Sequence, residues 1–415
     1  MNLIDRVGLI ALSYHSYRKF FAAQLFLISA FMMQQTAISW EIYSLSESSF
    51  VVGALLCLFN VGLFIFTPIS GVLSNQFDKK KLTKNAYLIV CLGTLIFALK
   101  AQLNLNLILA VIFNQLVYGI AIGFEMPIRW IWISDIISEK EQLASAIGLN
   151  QFASNSSRVL GPILAGSISF YWTIDATYYF TVVFNLIAFY AIFSIKIKRK
   201  LTKTKKKIKE IPKGFAEGLS YIKATPEIKS LMLLSLVVSF SSFGYSALMP
   251  EFIKSVIGGN SNDLGNVIAS SGAGAMVASL IIASMKKLYL LHRYLMLAII
   301  IFIAVYSTLF FIQALTPTYV LLFCIGFGQV MYYGSCQNIV HNSVPREYLG
   351  RVISLFLMCN MFFFTTGNML IGKIADAYSI SEAFKFQIIG SLVSLLLFIL
   401  FRLKIKAIIP IIKTT

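Results

Sequence analysis

Apolar runs of about 20 residues recur along the 415-residue chain from Phe20 to Phe401, and this feature limits its fold more than any other. A run of that length crosses roughly 30 Å of hydrocarbon as a helix, the element that satisfies its own backbone hydrogen bonds where no water is present. Hydrophobic residues make up 58% of the sequence and charged residues only 13%, far from the balance of a soluble domain. About twelve spans are predicted, at 20–43, 50–74, 84–104, 106–133, 143–170, 176–195, 230–253, 263–285, 289–313, 317–341, 350–377 and 382–401. The breaks at Ser44–Ser49 and Trp172–Thr177 are short, and merging them leaves ten or eleven as alternative counts. The first run lacks a small-x-small cleavage pattern and ends in Trp40 and Glu41, so it is expected to remain as a span.

The formal charge of +18 follows the spans. With both termini inside, cytoplasmic segments hold 29 of the 35 Lys and Arg, and Lys100, Lys254, Lys373 and Lys385 fall at or near the outer ends. This is the positive-inside pattern. The run "KIKRKLTKTKKKIK" from Lys196 to Lys209 lacks interleaved aromatics, so it reads as a solvated linker near anionic lipid rather than a nucleic-acid site. It gives three parts: a six-helix half at 1–195, a basic cytoplasmic linker at 196–229 and a second six-helix half at 230–415.

The halves resemble each other internally. "EQLASAIGLNQFASNSSRVLGPILAG" from Glu141 aligns with "YLGRVISLFLMCNMFFFTTGNMLIG", pairing Leu143, Gly161 and Gly166 with Leu349, Gly367 and Gly372 at a shift of 206. The loops "SEKEQL" and "PREYL" precede equivalent spans.

Two six-helix repeats joined by a basic linker resemble the major facilitator superfamily, an all-α polytopic membrane fold. "GVLSNQFDKKK" from Gly71 resembles its loop motif, with Asn75 in place of the usual acid, Asp78 at a further departure, and Lys79 and Lys80 in the basic cluster. The resemblance implies a cytoplasmic gate in which Asp135 receives a lysine from this cluster. The fifth span resembles an exporter signature, reading Gly148, Ser157, Gly161, Pro162 and Gly166, with small residues replacing two of its glycines. Small residues allow close helix packing and proline frees a carbonyl, so packing and kinking are the expected roles. "QQTAISWEIYSLSESS", "KGFAEGLSYIKATPEIKSLMLLS" and "VPREYLGRVISL" extend the likeness to the bacterial exporters of enterobactin and macrolides. This branch implies proton antiport of a siderophore or amphipathic drug by alternating access. A bacterial inner membrane, a small-molecule substrate, a lipid environment and a monomer are the accompanying expectations, with no cofactor and no nucleic acid.

The residues lead to transport by a second route. Glu125, Arg129 and Arg158 lie within predicted spans, where arginine costs about 2.5 to 3.5 kcal/mol unless it meets a partner or a wet cavity. Glu125 and Arg129, four apart, share a helical face. Arg158 lies about 22 Å into the fifth span and Glu125 about 15 Å into the fourth, by helical rise from the cytoplasmic side, so a bridge between them is expected, directly or through water. Glu125 is the expected proton-coupling carboxylate, a static helix-orienting pair being the alternative; Glu41 is a second candidate, with an interfacial or gating role.

The family architecture implies a cavity lined by the first, fourth, seventh and tenth spans, with Gln34, Gln35, Asn114, Gln115, Tyr118, Tyr245, Tyr332, Tyr333 and Gln337. Amides and aromatics with few charges suit a bulky, partly apolar substrate, and packing is the alternative role for each. A proton-coupled importer of a small nutrient is the alternative within transport. An enzyme is disfavoured: His15, His292 and His341 are scattered, and metal-ligand spacing and nucleophile-base patterns are missing. Cys57, Cys91, Cys324, Cys336 and Cys359 all fall within spans and are expected to be packing residues.

Overall fold

The computed structural model describes residues 10–73, 79–137, 140–195, 211–283, 290–312 and 314–411, and no strand occurs among them. Twelve long helices succeed one another: α1 His15–Ser46, α2 Ser49–Leu73, α3 Lys79–Ala98, α4 Leu107–Ile136, α5 Lys140–Tyr171, α6 Ile174–Phe193, α7 Pro226–Ile257, α8 Ser261–Ala283, α9 Leu291–Phe311, α10 Leu315–Ser343, α11 Arg346–Ala377 and α12 Ile380–Ile411. All but α5 are apolar and long enough to cross a membrane by composition alone. In α5 the polar run from Ser154 to Arg158 lowers the hydropathy, yet its 32 residues exceed the span requirement.

Both doubtful breaks separate helices, for local reasons. Between α1 and α2, Glu47 takes φ +50°, a left-handed conformation that ends the first helix. The Ser48 hydroxyl then accepts the Val51 N–H at 3.1 Å, starting the next. Between α5 and α6, Thr173 caps α6 by accepting the Ala176 N–H at 3.1 Å, and Asp175 lies in the first turn, where the helix dipole favours an acid. The linker is partly helical: Ile211–Ala224 packs on α11, where Glu217 pairs with Arg351 at 2.7 Å and Tyr221 stacks on Tyr348.

The helix α7 is not uniform. An α segment Pro226–Ser242 gives way to a 3₁₀ turn at Gly244–Ala247, a short turn containing Pro250, and a π segment Phe252–Ile257 that ends at left-handed Gly258. Proline cannot donate to the helical ladder, so the pattern of hydrogen bonds shifts around it.

The chain forms two compact units, Met1–Ile38 with Leu58–Ile208, and Ser39–Cys57 with Lys209–Thr415. In the first, α3 packs along α4 and α6; in the second, α9 packs along α10 and α12. Aromatic side chains fill both cores: Tyr17, Phe20, Tyr87, Tyr118 and Trp132 in the first, Phe243, Phe302, Tyr306, Tyr332 and Phe356 in the second.

Glycine contacts show the internal repeat in three dimensions. A β-carbon on Gly161 of α5 would lie 2.5 Å from Met32 Cβ and 3.0 Å from Ser29 O of α1, and one on Gly367 of α11 would collide with the Phe240 carbonyl of α7. The residues paired by the 206-residue shift therefore make the equivalent close approach in each unit. The pairs α2–α4 and α8–α10 repeat the device, with Gly62 meeting Gly119 and with Gly274 and Gly326 seated on the backbones of Phe323 and Ser271. Lipid offers little hydrophobic drive for helix association, so close backbone contact through small residues carries the packing.

Candidate functional site

A buried charge cluster forms where α1, α3 and α4 meet in the first unit. Glu125 is 1% exposed. Arg129, one turn along α4, donates from Nε to both carboxylate oxygens at 3.0 Å and from an NH2 group to Oε2 at 2.5 Å. Gln24 of α1 donates from Nε2 to Glu125 Oε1 at 2.8 Å, and the same nitrogen lies 2.9 Å from the Tyr87 hydroxyl of α3. A buried carboxylate requires this kind of multiple support, because desolvation otherwise outweighs the attraction of a single partner. Phe20 stacked on Trp132 closes the cluster toward the end of α4, where Trp132 donates its indole N–H to Thr83 at 3.0 Å.

This arrangement corrects the expectation of a direct bridge between Glu125 and Arg158. Arg158 is not among the partners of Glu125 and its side chain is exposed. The i,i+4 spacing brings Arg129 to the carboxylate within one helix, without the two-helix bridge that Arg158 would need.

Above the cluster lies a second polar group. The Tyr118 hydroxyl donates to Asn185 Oδ1 at 3.1 Å, and Asn185 Nδ2 donates to Thr94 Oγ1 at 3.1 Å, joining α4, α6 and α3. Gln115 Nε2 donates to Gln35 Oε1 at 2.8 Å. Gln34, Asn114, Gln115, Tyr118 and Tyr332 are buried. Gln35, Tyr245, Tyr333 and Gln337 are half-buried. The Tyr245 and Ser271 hydroxyls share a hydrogen bond of 2.8 Å, while the rings of Tyr332 and Tyr333 pack against Phe243 and Phe356.

On α5, Ser157 meets α1 twice: its hydroxyl donates to the Leu25 carbonyl at 3.1 Å and accepts from Ser29 at 3.0 Å. Gly161, Pro162 and Gly166 are buried, in keeping with packing and bending, whereas Gly148 is exposed with open space around its α-carbon. Of the gate residues, Asn75 and Asp78 lie outside the described residues; Gly71 lies in α2 and Lys79 opens α3. Lys80 donates to the Ile195 carbonyl just past the end of α6 at 2.5 Å, and Lys84 sits 3.7 Å above the Phe193 ring in a cation–π contact. Asp135 is exposed near the end of α4.

Sequence reasoning missed Gln24, Tyr87, Thr94 and Asn185. A lone amide within an apolar run, such as Gln24 in "FFAAQLFL" or Asn185 in "VVFNLIAF", was the available signal, since burying an amide requires partners. It also missed two carboxylates in the second unit. Asp376 accepts the Ser49 and Phe50 N–H groups at 2.7 and 3.2 Å, and Glu251 accepts the Ser49 hydroxyl at 2.6 Å.

Known proteins share this architecture. The chain is 21% identical over 398 residues to the staphyloferrin A transporter of Staphylococcus aureus, covering 93% of this chain and 96% of that protein. It is 20% identical to macrolide efflux protein A of Streptococcus pyogenes, covering 84% and 87%. A crystal structure of a mutant form of the peptide transporter POT superposes with TM-score 0.77 at 9% identity, covering 95% of both chains, a likeness of fold. Residues 7–410 match the profile of the transmembrane secretion effectors. With twelve long helices, paired repeats and these relatives together, the chain belongs to the transmembrane secretion effector family of the major facilitator superfamily, whose members are integral membrane transporters and not enzymes.

Proposed function

We propose that this transporter exports a siderophore or an amphipathic drug from the cytoplasm by alternating access, in exchange for protons, with both termini on the cytoplasmic side of a bacterial inner membrane. The observation that carries the reading is Glu125, a carboxylate 1% exposed and held by Arg129 and Gln24. An ionisable group so placed is costly to keep, and proton exchange gives a reason to keep it. In the paired state Arg129 stabilises the charged carboxylate. Arg129 lies on the same helix, so the partner that helix movement can withdraw is Gln24 of α1, and its loss changes the support of the carboxylate as the transporter alternates. Arg158, exposed on α5, is assigned to substrate charge rather than to Glu125.

The substrate class is supported by the names of the relatives, one a staphyloferrin A transporter and the other a macrolide efflux protein. The orientation is supported by the basic segments that follow the even spans. Functional action as a monomer is consistent with each unit having its own packed core.

The test uses everted membrane vesicles with an imposed proton gradient. Candidate substrates are first chosen by comparing retention of siderophores and macrolides in cells with and without the chain. Glu125→Gln is expected to abolish gradient-driven accumulation while retaining downhill exchange of labelled substrate. Full gradient-driven accumulation by Glu125→Gln would remove this residue from the proton path.

A further inference from the structure

We propose that Arg158 presents a fixed positive charge to the substrate, and that the molecule it receives is an anion carrying carboxylates rather than a cationic drug. The proposal rests on the reading of Arg158 as a substrate group and names the class of molecule that group takes. Arg158 lies 18 residues after the first residue of α5 and 13 before the last. Among the described residues it is the only Lys or Arg more than ten residues from both ends of its helix, and Glu125 is the only Asp or Glu so placed. Glu125 is 1% exposed and held by Arg129, whereas Arg158 is exposed. The deep charge turned toward solvent is therefore positive, and a guanidinium keeps that charge at every working pH.

Three faces of α5 differ in character. Ala153, Ser157 and Gly161, at steps of four, are buried, and the last two meet α1. Phe152, Leu160 and Phe170 are exposed apolar residues, each more than about 100° around the helix from Arg158, and they suit a lipid-facing side. Gln151 and Arg158, seven residues apart, return to one face with Asn155 between them. Gln151 is exposed, and its Nε2 donates to Asn155 Oδ1 at 3.3 Å, which leaves its own carbonyl oxygen to accept. A guanidinium and an amide turned to hydrocarbon would each lose their water, so this face belongs to an aqueous path.

Exposure along this face is one-sided. Ile147, Gly148, Gln151 and Arg158 are exposed, whereas Pro162 and Ala165, the next residues on the same side, are buried. A β-carbon on Gly148 would meet nothing within 4 Å. The face is thus open in the half of α5 nearer its start, which is the cytoplasmic half on the proposed orientation and the side from which an exporter loads. Arg158 stands at the closed end. A carboxylate arriving there can accept two parallel N–H bonds from the guanidinium fork, while Gln151, about 10 Å nearer the opening, can bond a second polar group and Ile147 offers apolar contact. A protonated amine would meet a like charge at the same place.

The test measures binding and imposes no proton gradient, so a chain that fails the vesicle test of proton exchange can still pass this one, and the reverse. The full chain is placed in lipid nanodiscs, and radiolabelled citrate, a hydroxy acid with three carboxylates, is the probe in equilibrium dialysis against empty nanodiscs. Saturable binding is expected, displaced by unlabelled citrate and by tricarballylate but not by trimethyl citrate, which keeps the shape and loses the charges. No saturable citrate binding, or displacement by trimethyl citrate as effective as by citrate, overturns the proposal. This comparison uses the unsubstituted chain and stands whatever a substitution does to folding. Arg158→Gln is expected to weaken citrate binding at least about tenfold, the scale of a lost charge-assisted hydrogen bond, and Arg158→Lys, which keeps the charge without the fork, to weaken it less. Equal affinity in the wild type and Arg158→Gln overturns the assignment to Arg158.

Discussion

Asp376, the penultimate residue of α11, accepts the backbone N–H of Ser49, the first residue of α2, at 2.7 Å. It also accepts from Phe50 N–H and from the Ser48 hydroxyl, so one carboxylate serves the start of a helix that has no acid in its own first turn. The position combines capping with a favourable charge at the positive end of the helix dipole. Asp376→Ala is therefore expected to cost about 1 kcal/mol, the usual scale of a lost N-cap. Asp376→Asn, which keeps one acceptor oxygen, is expected to cost less. Thermal unfolding of the purified chain in detergent checks the order, and equal midpoints for all three proteins would count against the cap.

The Glu125–Arg129 pair leads to a second expectation. Removing one member strands the other in a site where Glu125 is 1% exposed, and Arg129→Met is expected to destabilise by about 3 to 5 kcal/mol, the range for a broken buried pair. Arg129→Met with Glu125→Gln removes both charges and is expected to recover much of that loss. A double-mutant cycle in thermal stability measures the difference, and strict additivity would contradict the coupling.

Three glycines separate packing from propensity. Gly148 lies within α5 with open space around it, so Gly148→Ala is expected to stabilise by about 0.5 to 1 kcal/mol through helix propensity. Gly161→Ala and Gly367→Ala are expected to destabilise, because the added methyl meets Met32 and Ser29 in one case and the Phe240 backbone in the other. Unfolding midpoints of the three variants should move in these opposite directions.

Asn185 bridges two hydroxyls from different helices. Asn185→Leu leaves Tyr118 and Thr94 without that bridge and is expected to cost about 1 to 3 kcal/mol. Adding Tyr118→Phe to Asn185→Leu removes one stranded hydroxyl, so the pair should cost less than the sum of the single changes when compared by thermal unfolding.

Sequence by itself determined the helical architecture and its repetition. Apolar length sets the spans because the bilayer leaves the backbone no other partners, and the shift relating Gly161 to Gly367 is a linear pattern that folding preserved. The Glu125–Arg129 pair was readable for the same reason, since i,i+4 geometry is local. Tertiary structure alone decided that Gln24 and Tyr87, lying 101 and 38 positions before Glu125, converge on its cluster, and that Asp376 caps α2 from 327 positions away. It also decided that Arg158 remains exposed and that Gln34 and Asn114 are buried. Hydropathy identifies which segments enter the membrane, whereas the rotation of each helix against its neighbours depends on close contacts such as Gly62 on Gly119, and that rotation determines which polar side chains meet.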